Sequence, residues 1–435
     1  MENQSRSREY RPLLIAEAAN PEWASVPLVG WNLARAIARI TKAHLITHVR
    51  NRDAILRAGL RETKDFTAID NERIAAPMYK LSDRLRGGQG KGWTTITAFS
   101  SLTYYSFEQE VWRQFGSRIA SGEFDIVHRI TPLSPTSQSL IAKKLARVGV
   151  PFIVGPLNGG VPWPKGFRNR QHAEKEWLSH IRGLYKLMPA YGATRRHAAA
   201  ILVASRHTLS EMPASTQSKC VLIPENGVDE SQITPRRDRS PTLPLKAIFV
   251  GRLVPYKGAD MLLKAATPFL MRGQLELDMV GDGPQLPELT ALAQELKVQH
   301  CVRFHGWLSH AQVLEMMSRS DFMALPSVRE FGGGVVVEAM ARGAVPVVAN
   351  YAGPSELVDD DTGIRVPFET ADSLVEGMRQ AIGRLVDKPD ALLRMAAAAQ
   401  DKVRRDLTWQ AKAEQIVAVY ERILQRRPDI VCHQS

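Results

Sequence analysis

The chain has 435 residues, enough for two or three domains, and it is 44% apolar, an ordinary value for a globular protein. No apolar run reaches the roughly 18 residues that cross a bilayer, and residues 1–12 are polar and lack the apolar core of a secretion signal. Three scattered cysteines, Cys220, Cys301 and Cys432, make neither a disulfide framework nor a zinc site, which points to a reducing, cytoplasmic setting.

The formal charge of +12 is one-sided. Residues 1–229 hold 32 Lys and Arg against 19 Asp and Glu, whereas residues 230–435 hold 25 against 26. A basic first half implies an acidic partner, such as an anionic membrane surface or a phosphorylated glycan, or else a merely solvated surface. Nucleic acid is not expected, because the basic residues are spread through the chain and no recognition module is visible.

Leu13-Leu14-Ile15 reads as a strand, residues 20–32 as a loop containing Gly30, residues 33–40 as a helix and 43–49 as the next strand. That order opens a doubly wound α/β sheet, in which loops at strand carboxyl ends meet ligands. Residues 82–93 are basic and glycine-rich, and a helix with five aromatic residues is predicted from 100 to 118. The apolar run 124–130 predicts a buried parallel strand with His128 at its carboxyl end, facing a crevice or serving the core. Residues 150–167 give another strand and a loop with Asn158, Gly159 and Gly160. Residues 173–190 form an amphipathic helix with basic flanks, either core-facing or lying on an anionic membrane. The Pro- and Arg-rich stretch 234–244 reads as a linker.

The second half repeats the alternation. Strands are predicted at 247–251, 275–280, 302–307, 321–325 and 344–350, with helices between them. Arg252 and Lys257 follow the first of these strands, where a guanidinium fork and an ammonium could neutralise a diphosphate. Residues 327–343, S-V-R-E-F-G-G-G-V-V-V-E-A-M-A-R-G, read as loop, then helix, stopped by Gly343. The glycines let a ligand approach the backbone, and the helix they open aims its free N–H groups at that ligand. Glu330 lies in the loop and Glu338 in the second turn of the helix. Two fixed carboxylates beside an anion-binding helix start suit a ligand with phosphates and hydroxyls, and a nucleotide sugar has both. The alternative is a tight packing turn with a solvated Glu338. Asp359-Asp360-Asp361 reads as a solvated turn, and no metal site is expected. Residues 407–424 predict a final helix, with a disordered tail after Arg426.

The ordered series V-G-R-L-V-P-Y-K-G, V-G-D-G-P, V-R-F-H-G-W and L-P-S-V-R-E-F-G-G-G-V-V-V-E-A-M-A-R-G-A-V-P-V-V-A resembles the retaining glycosyltransferases of family 4, which have the GT-B fold. The likeness is dense over residues 220–425. It implies two Rossmann-like domains facing across a cleft: an acceptor-side domain at 10–229 with the last helix (about 407–424) returning to it, and a donor-binding domain at 230–406. It implies that Arg252 and Lys257 hold the donor diphosphate, that Glu330 contacts the transferred sugar and Glu338 the ribose, and that Gly333, Gly334 and Val335 line the donor pocket. Gly30 and His128 fall where such enzymes place a donor-side loop and a sugar-contacting histidine. The activity implied is metal-independent transfer of a hexose from a UDP- or GDP-sugar to a glycan or lipid-linked acceptor with retention of configuration, without a cofactor, in cell-surface polysaccharide, lipopolysaccharide or glycolipid synthesis. The basic first half would then sit at the inner membrane face. An epimerase or hydrolase of the same fold, or an inactive scaffold subunit, are the competing readings. One departure is local: Gly332-Gly333 stand where the family has Phe-Gly, with Phe331 one place earlier.

Overall fold

A computed structural model describes residues 9–73, 93–159, 161–167, 185–236 and 241–425. The glycine-rich stretch 82–93 (all but its last residue), Gly160, most of the amphipathic segment 173–190, and the tail after Gln425 lie outside the described residues. The chain forms two compact units, one of residues 1–160, 180–225 and 409–435, the other of residues 161–179 and 226–408.

The first unit is built on a parallel sheet. Its described strands are β1 (Pro12–Ala16), β2 (His44–His48), β3 (Phe66–Ile69), β4 (Ile126–Thr131), β5 (Phe152–Leu157), β6 (Ala198–Val203) and β7 (Cys220–Leu222), in the order β3-β2-β1-β4-β5-β6-β7. Both faces are covered, and the strands are largely apolar, although β2 and β4 also bury His44, Thr47, His48, His128, Arg129 and Thr131. Along β1, Leu14 and Ala16 enter one core with Trp31, Ile37, Ile416 and Tyr420, while Leu13 and Ile15 enter the other with Tyr104, Phe107 and Phe115.

The helix expected at 33–40 begins earlier, at Val26, and runs to Ile40 with Pro27 in its first turn. Pro27 lacks an N–H that the first turn would leave unpaired anyway, so proline starts this helix where the sequence suggested a loop. Gly30 therefore lies inside the helix. A Cβ there would collide with the Ala18 carbonyl oxygen and press on Thr131. Its glycine is explained by close packing of the helix on the loop after β1. The last helix, Trp409–Gln425, packs along Val26–Ile40 and buries Trp409, Ile416 and Tyr420.

His128 is the third residue of β4, and its side chain is fully enclosed in the core. This corrects the crevice-facing position expected for it. Nε2 lies 2.7 Å from the Gly155 carbonyl, which can only accept, so Nε2 carries the proton. Nδ1 is then the acceptor for the Tyr420 hydroxyl at 2.6 Å. Both ring nitrogens are spent on holding β4, β5 and the last helix together. Burial lowers the His128 pKa to about 4. A neutral histidine of this kind contributes stability that is fully present above the ordinary value of 6.5 and is lost as pH falls through about 4. Tyr420→Phe leaves Nδ1 buried without a donor, and urea unfolding is expected to show a loss of about 1–3 kcal/mol. A change below about 0.5 kcal/mol, within the range of inconsequential substitutions, would contradict this pairing.

The second unit has a parallel sheet of β8 (Leu245–Val250), β9 (Leu275–Val280), β10 (Val302–Gly306), β11 (Phe322–Leu325), β12 (Val345–Ala349) and β13 (Ile364–Val366), in the order β10-β9-β8-β11-β12-β13 among the described residues. The order reverses between β8 and β11, which pair through Ala247–Phe322 and Ile248–Met323. Residues 161–167, though numbered within 10–229, belong to this unit, with Phe167 buried in its core.

Candidate functional site

Ligands of open α/β sheets bind beyond the strand carboxyl ends where the strand order reverses. In the second unit the loops after β8 and β11 leave the sheet at that place. They are laced together: Val328 N donates to the Tyr256 carbonyl at 2.9 Å, and the Ser327 hydroxyl approaches the same oxygen at 3.3 Å. This lacing brings Lys257, at the end of the β8 loop, to Glu330 in the β11 loop. Lys257 Nζ donates to Glu330 Oε2 as a half-buried ion pair. Arg252 stands in the same β8 loop, exposed, with no ion pair among the described residues.

The glycine stretch forms the predicted turn and helix. Gly333 has φ 66°, a left-handed conformation that an L side chain rarely adopts, and the helix Gly334–Ala341 follows it. Gly334 and Val335 begin that helix half-buried, with Val335 packed on the core. Beside Gly334 lies Asn226, whose amide oxygen would be 3.1 Å from a Cβ at that position. Glu338 points from the second turn to His310, with Oε1 and Nε2 2.9 Å apart. The hydrogen bond that His310 donates to Glu338 raises the His310 pKa above 6.5. The stability from this pair is fully present below 6.5 and is lost as pH rises through the raised value.

Around the ion pair lies an aromatic and cationic group that was not expected from the sequence. The Arg329 guanidinium carbon lies 5.5 Å from the centre of the Trp163 ring and 5.6 Å from that of Phe331. Trp163 meets Tyr256 edge-on at 6.4 Å, and Tyr351 Oη donates to the Pro162 carbonyl at 2.7 Å. Residues 161–167 thus pack beside the two loops that carry Lys257 and Glu330. The one available signal was the Trp-Pro pair at 163–164, rigid and apolar in the glycine- and proline-rich loop after β5.

The Asp359–Asp361 turn serves local structure: Asp359 accepts from Lys402 at 2.7 Å and Asp360 from Arg365 at 2.8 Å. No group of three metal-ligating side chains is found among the described residues, and none of their helices is long and apolar enough to cross a membrane. In the first unit the strand order reverses beside β1, and the group at that strand end is Glu17, half-buried, its pKa raised to about 6 by burial. Gly30 and His128, both expected near a ligand, instead pack within this unit as described above.

The family model for glycosyl transferases group 1 matches residues 231–401. Over those residues the chain is similar to the glycosyl transferases group 1. A glycogen synthase of Mycobacterium tuberculosis is 32% identical over 222 residues, 49% of this chain and 52% of the relative. The chain spans about half the length of the curated relatives it matches. A glycosyltransferase from Rickettsia africae, solved as a crystal structure, covers 97% of this chain and is itself fully covered, at 15% identity and a TM-score of 0.62. The Anabaena protein HepE in complex with UDP covers 95%, also fully covered, at 16% identity and a TM-score of 0.61. These structural likenesses extend over both units and establish the fold as GT-B, with two Rossmann-like domains. The group 1 match covers Arg252, Lys257, Glu330 and Glu338.

In a histidine NMR titration, His310 is expected to titrate above 6.5, and Glu338→Gln to bring it back down. An unchanged value in that variant would show that Glu338 does not hold His310.

Proposed function

We propose that this protein is a retaining glycosyltransferase that moves a hexose from a UDP- or GDP-sugar to a hydroxyl of a glycan or lipid-linked acceptor. The observation that carries this reading is the meeting of Lys257 and Glu330, from separate loops, where the second sheet reverses its strand order and beside a helix opened by Gly333. The UDP in the HepE complex supports a nucleotide as the ligand of such a unit.

In this reading Arg252 and Lys257 hold the donor diphosphate. Lys257 has three N–H donors, so it can keep Glu330 with one and offer others to phosphate oxygens. Glu330, aligned by Lys257, accepts from hydroxyls of the transferred sugar. Glu338 accepts from the ribose hydroxyls. The free N–H groups of the helix start, at Gly334 and Val335, add positive potential where the phosphates sit. Phe331 and Trp163, with Arg329 between them, close the apolar side of the site.

The chemical step breaks the bond from the sugar C1 to the diphosphate oxygen and forms a bond from C1 to the acceptor oxygen on the same face. The acceptor hydroxyl proton passes to the departing diphosphate oxygen. Negative charge grows on that oxygen as the bond breaks, and Arg252 and Lys257 stabilise it most at that moment, which lowers the barrier. The excess of basic residues in 1–229 favours an anionic acceptor, such as a lipid-linked glycan at a membrane face, in cell-surface polysaccharide, lipopolysaccharide or glycolipid synthesis.

Lys257→Ala is expected to lower transfer by on the order of 10²–10³-fold, the usual cost of losing one donor to a developing anion. Its circular dichroism should stay that of the wild type. Near wild-type turnover in the folded variant would contradict the assignment. Product stereochemistry by proton NMR tests retention separately: an inverted anomer would rule it out and leave the donor site standing.

A further inference from the structure

The first unit has its own polar group at a ligand-binding position, and no hydrogen bond among the described residues engages its side chain. Glu17 follows β1 directly, and β1 is the strand beside which the first sheet reverses its order, with β2 on one side and β4 on the other. The backbone here is fixed by neighbours on both sides. The Glu17 carbonyl accepts from Asn51 Nδ2 at 2.8 Å, from His48 N at 3.2 Å and from Thr47 Oγ1 at 3.3 Å. The next residue is tied to the end of β4: Ala18 N donates to Thr131 Oγ1 at 3.0 Å, and that hydroxyl donates back to the Ala18 carbonyl at 3.2 Å. The helix Val26–Ile40 presses on the same loop at Gly30.

The side chain is treated differently from its backbone. The Glu17 carboxylate has no hydrogen-bond partner among the described residues, although it is half-buried. The nearby cation, Arg50, is engaged elsewhere: its guanidinium forms a two-point pair with Glu72, with Nη2 to Oε2 at 2.9 Å. Burial accordingly raises the Glu17 pKa to about 6 despite the attraction of Arg50. A carboxylate that is partly desolvated, held on a rigid backbone and left without a partner costs stability, and such groups collect at sites that bind a ligand.

We propose that Glu17 is a binding residue for the acceptor, its carboxylate accepting a hydrogen bond from a hydroxyl of the sugar or polyol that receives the transferred hexose. The assignment rests on the glycosyltransferase reading above. An ionised carboxylate only accepts hydrogen bonds, so it selects a hydroxyl and repels a phosphate. The charged end of an anionic acceptor therefore lies away from Glu17. Asn20, fully buried and bonded to Asn51, sits in the same loop and keeps its floor rigid.

The test uses the full chain as wild type, Glu17→Gln and Glu17→Ala. UDP, GDP and ADP are titrated by thermal shift. Methyl α-glucoside, methyl α-galactoside, methyl α-mannoside and myo-inositol serve as acceptor probes, by saturation-transfer NMR and in transfer assays with the matching nucleotide sugars. The expected result is that both variants keep the wild-type midpoint shift with nucleotide. The apparent KM for a probe should rise about tenfold or more in Glu17→Ala and less in Glu17→Gln, which still offers an accepting oxygen. Variants with wild-type acceptor KM and kcat overturn the assignment, as does a wild type that binds nucleotide but none of the probes. A nucleotide shift lost along with acceptor use would show a general structural role and also overturn it. A wild type that binds no nucleotide fails at the earlier reading, and the nucleotide titration separates that failure from the others.

Discussion

In the second unit β8 pairs on one edge with β9, the strand that follows it, and on its other edge with β11, a strand about 75 residues further along the chain. Everything at the candidate site follows from that pairing. It makes the sheet reverse its order there, so the two loops leave side by side and the Tyr256 carbonyl can stitch them together. Only then do Lys257 and Glu330 meet. A half-buried ion pair of this kind contributes little net stability, because desolvation of both charges offsets much of their attraction. Its value lies in fixing where an ammonium and a carboxylate point, which suits a ligand carrying both phosphate and hydroxyl groups.

The first unit solves the same geometric problem with different chemistry. Its sheet reverses beside β1, and the strand end carries a carboxylate whose nearby cation, Arg50, is paired with Glu72. Three hydrogen bonds to the Glu17 carbonyl and two between Ala18 and Thr131 hold that loop, while the carboxylate itself stays available. One reversal point thus presents a cation paired with an anion, and the other presents an anion alone. In the proposed reading that difference suits a diphosphate donor at one and a hydroxyl acceptor at the other.

Much of the fold was legible because buried parallel strands are continuous apolar runs, and those runs are visible without any partner. The glycine turn before Gly334 was legible for a similar reason, since its chemistry is local. What depended on distant partners was not. His128 looked like a crevice residue because Tyr420, which occupies its ring, lies 292 positions away. Gly30 looked like part of a loop because the Ala18 carbonyl that excludes a Cβ comes from another element. Trp163 and Arg329 are 166 positions apart and gave no joint signal. Glu17 was overlooked because a single Glu after a short strand is unremarkable until the sheet order is known. The short strands β3, β7 and β13 were missed because three or four residues carry too little pattern to separate a strand from a loop.

The proposed function requires the second unit to bind a nucleoside diphosphate through the loops after β8 and β11. A thermal-shift titration of the full chain with UDP, GDP and ADP, each alone and as its common sugar conjugates, tests it most directly. One base is predicted to raise the unfolding midpoint, by the equivalent of about 2.7 kcal/mol at a hundredfold excess over its Kd, and its sugar conjugate to do the same. No shift with any of them would contradict the claim and leave the Lys257–Glu330 pair as a structural feature of the fold.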